Sequence, residues 1–210
     1  MVDKVEALLF DLGRVVFELD TTRVHERWAE LAGLPATDIG QRYQVRVVGS
    51  EAFRRHECGK ISDKEFFDHL RCALEIDLTD EQVLDGWNTI FVGEMPGIRR
   101  ILSGAQEKLP LYVFSNTNSA HQAYWSVRFA DLLAPFRKIY LSNEIGARKP
   151  EVAAFQAVAA DMDMAPQRIL FLDDMVANIA GARASGLQAV QVAATADIER
   201  ALSDLVLDPC

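Results

Sequence analysis

Three short apolar runs in this chain each break straight into polar residues. Val5-Glu6-Ala7-Leu8-Leu9-Phe10 ends in Asp11, Leu111-Tyr112-Val113-Phe114 in Ser115-Asn116, and Ile169-Leu170-Phe171-Leu172 in Asp173-Asp174. Strands buried on both faces of a parallel sheet read as such runs, and open α/β sheets bind ligands beyond the carboxyl ends of their strands. If the three runs lie side by side, three carboxylates, a hydroxyl and an amide meet in one crevice. Arg148-Lys149-Pro150, between the second and third runs, adds a lysine. This set suits attack by a carboxylate on a phosphate ester with the help of a metal ion.

With 210 residues, half of them hydrophobic, the chain can build one solid core, or a core and a small second lobe. Its net charge of -9 and pI near 4.9 argue against a nucleic-acid partner, which needs a basic face. They are no obstacle to a small phosphorylated metabolite held by a few local cations. Cys58, Cys72 and Cys210 form no metal-like or redox-like pair, so reduced thiols and a cytoplasmic setting are expected. Cys210 follows Leu207-Asp208-Pro209, which fits no lipidation pattern. Met1-Val2-Asp3-Lys4 leads into a run broken by Glu6, which is no signal peptide, and no segment is long enough to span a membrane.

From about Asp20 to Glu94 the pattern is helical, with no convincing strand. Asp20 or Thr21 can cap a helix carrying Val24, Trp28 and Leu31, which stops at Gly33-Leu34-Pro35. Further helical segments run from Ile39 to Gly49 and from Ser50 to about Gly59. Ser62-Asp63-Lys64-Glu65 and Thr79-Asp80-Glu81-Gln82 are capping boxes that open two more. From Pro96 onward helix and strand alternate: a helix to Lys108, the run 111–114, a helix from Ser119 to Phe129, and a strand around Ile139-Tyr140-Leu141. A helix that Pro150 opens runs to Met162. The run 169–172, a helix ending at Gly186, a strand Ala189-Val190-Gln191-Val192 and a helix from Thr195 follow. Such alternation predicts an α/β fold, a Rossmann-like parallel sheet with helices on both faces. Residues 1–16 and 95–210 form that core domain, and 17–94 an inserted helical cap.

Each candidate group has a plain structural reading when taken alone. Asp11 ends a strand, Asp173-Asp174 and Ser115-Asn116 cap helices, and Lys149 is solvated. Together, at these element boundaries, they read as chemistry. Asp11 is the candidate nucleophile, able to form an acyl phosphate that water then hydrolyses. Asp173 and Asp174 can both face a hard cation such as Mg²⁺, with Asn178 orienting the pair. Ser115 and Asn116 can hold phosphoryl oxygens, and Lys149 supplies a compact positive charge. Arg42, Arg46, Arg54, Arg55, His56 and Glu57 are the cap's candidates for choosing the substrate. His25 and His69 read as partly buried structural residues, while His121 and Trp125 follow the Ser115 loop at helical spacing and can line the pocket, a core role being the first reading for Trp125.

Asp11, Ser115, Lys149 and Asp173-Asp174 fall where the haloacid dehalogenase superfamily carries its four motifs, and the block 14–95 resembles that superfamily's C1-type cap. The segments Phe10-Asp11-Leu12-Gly13, Glu51-Ala52-Phe53, His56-Glu57-Cys58-Gly59-Lys60-Ile61-Ser62, Ser115-Asn116-Thr117-Asn118, Ile139-Tyr140-Leu141-Ser142 and Arg148-Lys149-Pro150-Glu151 resemble the α-D-glucose-1-phosphate phosphatase branch. The resemblance implies a Mg²⁺-dependent phosphatase acting on a sugar phosphate such as glucose 1-phosphate, through an aspartyl-phosphate. It implies Asp11, Asp173, Asp174 and the Gly13 carbonyl as metal ligands. Most phosphatases of the superfamily carry an acid/base aspartate where this chain has Gly13. Such catalysis is worth ~10²–10⁴-fold, so either a slow enzyme or an easy leaving group is expected. A metal-independent haloacid dehalogenase, a phosphoglucomutase and a non-catalytic phosphate-binding protein are the competing readings. Asp173-Asp174 opposes the first, Gly13 opposes the second, and Gly13 alone favours the third.

Overall fold

The computed structural model describes residues 4–206. Met1-Val2-Asp3, which bear on the signal-peptide reading, and Cys210, which bears on lipidation, lie outside the described residues. Among the described residues, five parallel strands form one sheet in the order β5-β4-β1-β6-β7. They are β1 (Ala7–Phe10), β4 (Leu111–Ser115), β5 (Phe136–Leu141), β6 (Ile169–Asp173) and β7 (Gln188–Gln191). The three runs that end in polar residues are the three central strands, with Phe10 level with both Val113 and Leu172.

Alternation along these strands divides the core between the two faces. Leu8, Phe10, Val113, Leu170 and Leu172 point to one face, under helices Ile98–Gln106 and Ser119–Arg128. Ala7, Leu9, Phe114, Ile169 and Phe171 point to the other, under Val152–Asp161 and Val176–Ala184. Hydrophobic on both faces, the strands cannot sit at a wet surface, and their polar ends Asp11, Ser115 and Asp173 gather buried at one edge of the sheet.

A separate apolar cluster fills the helical insertion, built on Val24, Trp28, Tyr43, Phe66, Leu70 and Trp87. Asp20 caps helix Thr21–Ala32 through the Thr22 amide, and both capping boxes form, opening Asp63–Leu74 and Asp80–Asn88. Helix Glu51–Glu57 begins at Ser50. Ala120, on the sheet's helix Ser119–Arg128, belongs to the insertion's cluster, so the two bodies share packing.

Two expectations need correction. The block from 20 to 94 does contain a strand: β3 (Phe91–Glu94) pairs antiparallel with β2 (Phe17–Leu19). Phe91-Val92-Gly93-Glu94 has no strand alternation of its own, and only the non-local partner gives it one. Pro150 does not open a helix. Glu151 is the N-cap of Val152–Asp161, and the two residues before it belong to a loop pinned at Lys149. Among the described residues no helix is long and apolar enough to cross a membrane.

Candidate active site

Asp11 is the first residue past β1, and its backbone N–H still donates to the Leu172 carbonyl at 2.8 Å. That bond fixes the carboxylate at the lip between β1 and β6. Asp173 closes β6 and is fully buried, and Asp174 follows it half-exposed. Ser115 closes β4 and is buried. Lys149 arrives from the loop before Val152–Asp161 with only 1 % of its surface exposed. Its Nζ stands 2.8 Å from Asp11 Oδ1 and 2.7 Å from Asp173 Oδ2. It rests over the rings of Phe114 and Phe171, 5.5 and 5.2 Å from their centroids.

The surrounding residues hold this group in place. Asn178 Nδ2 donates to both oxygens of Asp173 at 3.0 Å, and the Met175 N–H donates to Oδ1 at 2.8 Å. The Asn116 side chain donates to the Lys149 carbonyl and accepts from its N–H, each at 2.9 Å. Asn116 therefore seats the lysine, and its backbone N–H is what it has left to offer a ligand. Sequence reasoning missed this clamp, because nothing in the residue types pairs an amide with a backbone 33 positions away. Thr117 N–H donates to the Ser142 hydroxyl at 3.0 Å, tying the Ser115 loop to the end of β5. Asn118, not Ser115 or Asn116, is the N-cap of the next helix.

Charge in this cluster is unbalanced. Ligand atoms of Asp11, Asp173 and Asp174 lie within 4.8 Å of one another, against one buried ammonium and Arg14, which stands 3.7 Å from Asp174. Burial, opposed by Lys149 and reinforced by Asp173 and Asp174, pushes the Asp11 carboxyl up to about 7. Burial and the Asp173 charge likewise raise Asp174. Burial alone would lower Lys149, but the two carboxylates outweigh it and hold the ammonium charged. A further cation relieves that excess, and an all-oxygen donor set suits a hard divalent ion such as Mg²⁺.

The cap's candidates divide. Arg42 and Arg46 bond the carbonyls of Leu74 and Ala73 and pair with Glu75, so they close the C-terminus of helix Asp63–Leu74. Arg54 bonds the Gly49 carbonyl. Arg55 has an exposed side chain. His56 is buried, with Nε2 2.7 Å from Asp63 Oδ1, and Asp63 accepts from Ser119 Oγ of the core at 2.7 Å. Glu57 reaches across to Arg148 at 3.0 Å, beside Lys149, and burial pushes its carboxyl up to about 7. His121 and Trp125 line a cavity with Gly13, Ser115 and Asn116. His25 and His69 are half-buried within the cap.

This fold, with its carboxylate-lysine cluster at the strand ends, defines a hydrolase class. The chain belongs to the haloacid dehalogenase-like hydrolases, whose family model matches residues 5–186. It is 26 % identical over 207 residues to the D-ribitol-5-phosphate phosphatase of Bacteroides thetaiotaomicron, covering 95 % of this chain and 97 % of that one. It is 30 % identical over 194 residues to a phosphatase of Mycobacterium tuberculosis, covering 90 % and 87 %. Among solved structures, a HAD-like hydrolase from Porphyromonas gingivalis superimposes with a TM-score of 0.82 at 25 % identity, over 99 % of this chain and all of that one. A HAD family enzyme of Bacteroides thetaiotaomicron, in complex with magnesium and inorganic phosphate, gives 0.76 at 28 % identity, over 89 % and 93 %.

Proposed function

We propose that this hydrolase is a Mg²⁺-dependent phosphatase of small phosphorylated metabolites, most directly a sugar phosphate such as glucose 1-phosphate. One observation carries the reading: Lys149 bridges Asp11 and Asp173 while Asp174 completes a three-carboxylate cluster at the lips of adjacent strands. The named phosphatase relatives, and the magnesium and phosphate in a structural neighbour, support it. Asp11 attacks phosphorus through one carboxylate oxygen. The phosphorus–oxygen bond to the leaving group breaks, and its electron pair stays on the departing oxygen. Water then releases inorganic phosphate from the acyl phosphate and returns Asp11 as a carboxylate. Lys149, Ser115 Oγ and the Asn116 N–H hold the phosphoryl oxygens. Asp11, Asp173, Asp174 and the Gly13 carbonyl would hold Mg²⁺, which supplies positive charge between the two anions that must meet.

A metal-independent dehalogenase has no use for the second and third carboxylates, so the cluster favours phosphate chemistry. The test is phosphate release from a panel of phosphorylated metabolites, with Mg²⁺ and with EDTA, for wild type and Asp11→Asn. Folded Asp11→Asn should be inactive, because an amide is a poor nucleophile. Retention of most of the rate in that variant would exclude the covalent route. Activity that survives exhaustive chelation would exclude the metal.

A further inference from the structure

The space beside Gly13 is taken by a neighbouring side chain. Gly13 does not adopt the left-handed conformation that demands glycine. A Cβ placed on it would instead lie 2.9 Å from Leu19 Cδ1, inside normal contact. Leu19 sits on the β2–β3 ribbon opposite Phe91, and its partly buried side chain packs on the sheet's core cluster. Around it Phe17, Ile90, Phe91 and Trp125 complete an apolar wall on the cavity that Gly13 and Ser115 share.

Among the described residues His121 is the one titratable side chain lining that cavity, and it has no proton to lend. Its Nε2 faces the Trp87 carbonyl at 3.2 Å, and so must carry the hydrogen and donate it there. Its Nδ1 faces Asn118 Nδ2 at 3.3 Å, and so accepts. The ring is neutral with both nitrogens engaged. The hydroxyls of Ser115 and Thr117 are the other O–H groups on the lining, and a proton of alcohol acidity gives little help to an alkoxide.

We propose that Leu19 is a specificity-determining residue, which occupies the acid's position and restricts the enzyme to esters whose leaving oxygen departs without receiving a proton. Those are anomeric, enol, aryl and acyl phosphates, as against simple alkyl phosphates. The proposal rests on the phosphatase reading above. In the first step the phosphorus–oxygen bond breaks with its electron pair on the leaving oxygen, which departs as the anion and takes its proton from water afterwards. The second step lacks the same group as a base, so hydrolysis of the acyl phosphate is slow for every ester alike. Accordingly kcat converges on one value across good substrates, and selectivity resides in kcat/KM.

The experiment measures kcat/KM for aryl, anomeric and alkyl phosphates in wild type, Leu19→Ala, Gly13→Asp, Gly13→Asp/Leu19→Ala and Glu57→Gln. In wild type an alkyl ester should be slower than an aryl ester by roughly 10²–10⁴-fold, the usual worth of general acid catalysis. Leu19→Ala makes room but adds no donor, so its dependence on the leaving group should stay as steep. The double variant should raise kcat/KM for alkyl esters by on the order of tenfold or more over Gly13→Asp alone, a partial recovery of that contribution. A flat leaving-group profile in wild type overturns the proposal. A Gly13→Asp variant as active on alkyl esters as the double variant overturns the role of Leu19. A Glu57→Gln variant that loses only the poor leaving groups would move the proton donor to the cap and overturn it too. No phosphate release from any ester is a different result, which strikes the phosphatase reading itself.

Discussion

Replacing Lys149 by methionine should destabilise the metal-free protein and make its stability respond more strongly to Mg²⁺. Methionine keeps most of the volume between Phe114 and Phe171 but removes the ammonium from between Asp11 and Asp173. Asp173 retains Asn178 and the Met175 N–H. Asp11 loses the ammonium 2.8 Å from its carboxylate while staying buried. Breaking a buried pair and stranding one partner costs about 3–5 kcal/mol, and the new apolar packing offsets part of it. For a net loss of about 3 kcal/mol, a domain of this size should melt roughly 6–12 °C lower. Mg²⁺ restores charge balance to carboxylates that no longer have a lysine, so it should raise the melting temperature more in the variant than in wild type. Saturation at a hundredfold excess over Kd adds about 2.7 kcal/mol. Circular dichroism melts of both proteins in EDTA and in Mg²⁺ supply the comparison. A variant melting within about 2 °C of wild type in EDTA, well short of that shift, would refute the reasoning. So would a smaller Mg²⁺ effect in the variant than in wild type.

Asn178→Ala should weaken Mg²⁺ binding about 10–100-fold, the usual effect of losing a group that orients a metal ligand; titration calorimetry showing unchanged affinity would remove Asn178 from the site. His121, pushed down to about 3 from an ordinary 6.5 chiefly by burial, makes the fold acid-sensitive. The unfolded chain takes up that proton below 6.5 and the folded chain does not, so stability is full above 6.5 and declines as pH falls toward 3. Each pH unit in that window removes about 1.4 kcal/mol. Urea midpoints measured from about pH 7 to 4.5 should fall less steeply in His121→Gln. Gly59→Ala should cost about 1–3 kcal/mol, because Gly59 sits at φ +63 and the new methyl would run into the Asn143 carbonyl across the cap–core contact. Its KM should rise as well, and an unchanged KM and melting temperature would show that this contact does not seat the cap.

The sheet was legible because its central strands are buried on both faces, so composition alone marks them, and their ends are where Asp11, Ser115 and Asp173 stand. The cap helices were legible through local capping at Asp20, Ser62 and Thr79. What escaped were pairings between distant residues. β3 exists only against β2, the Asn116 clamp only once Lys149 is beside it, and the clash at Gly13 only because a ribbon carries Leu19 back over it. What a side chain at Gly13 would meet is Leu19, which no single-position argument reveals.

The β2–β3 ribbon has a consequence for how such an enzyme can change. Phe17 lies opposite Glu94, and Leu19 opposite Phe91. The chain therefore leaves the sheet domain and returns to it at neighbouring points. To the sheet, everything from 20 to 90 is one enlarged hairpin loop, and lengthening a loop costs entropy only logarithmically. A lid held by such a handle can be exchanged, trimmed or shortened to a turn without re-threading one catalytic strand. Leu19, though, is part of the handle. A transplant cut at the ribbon's base would carry it along, so the donor's lid would bring with it the donor's own selection of leaving groups.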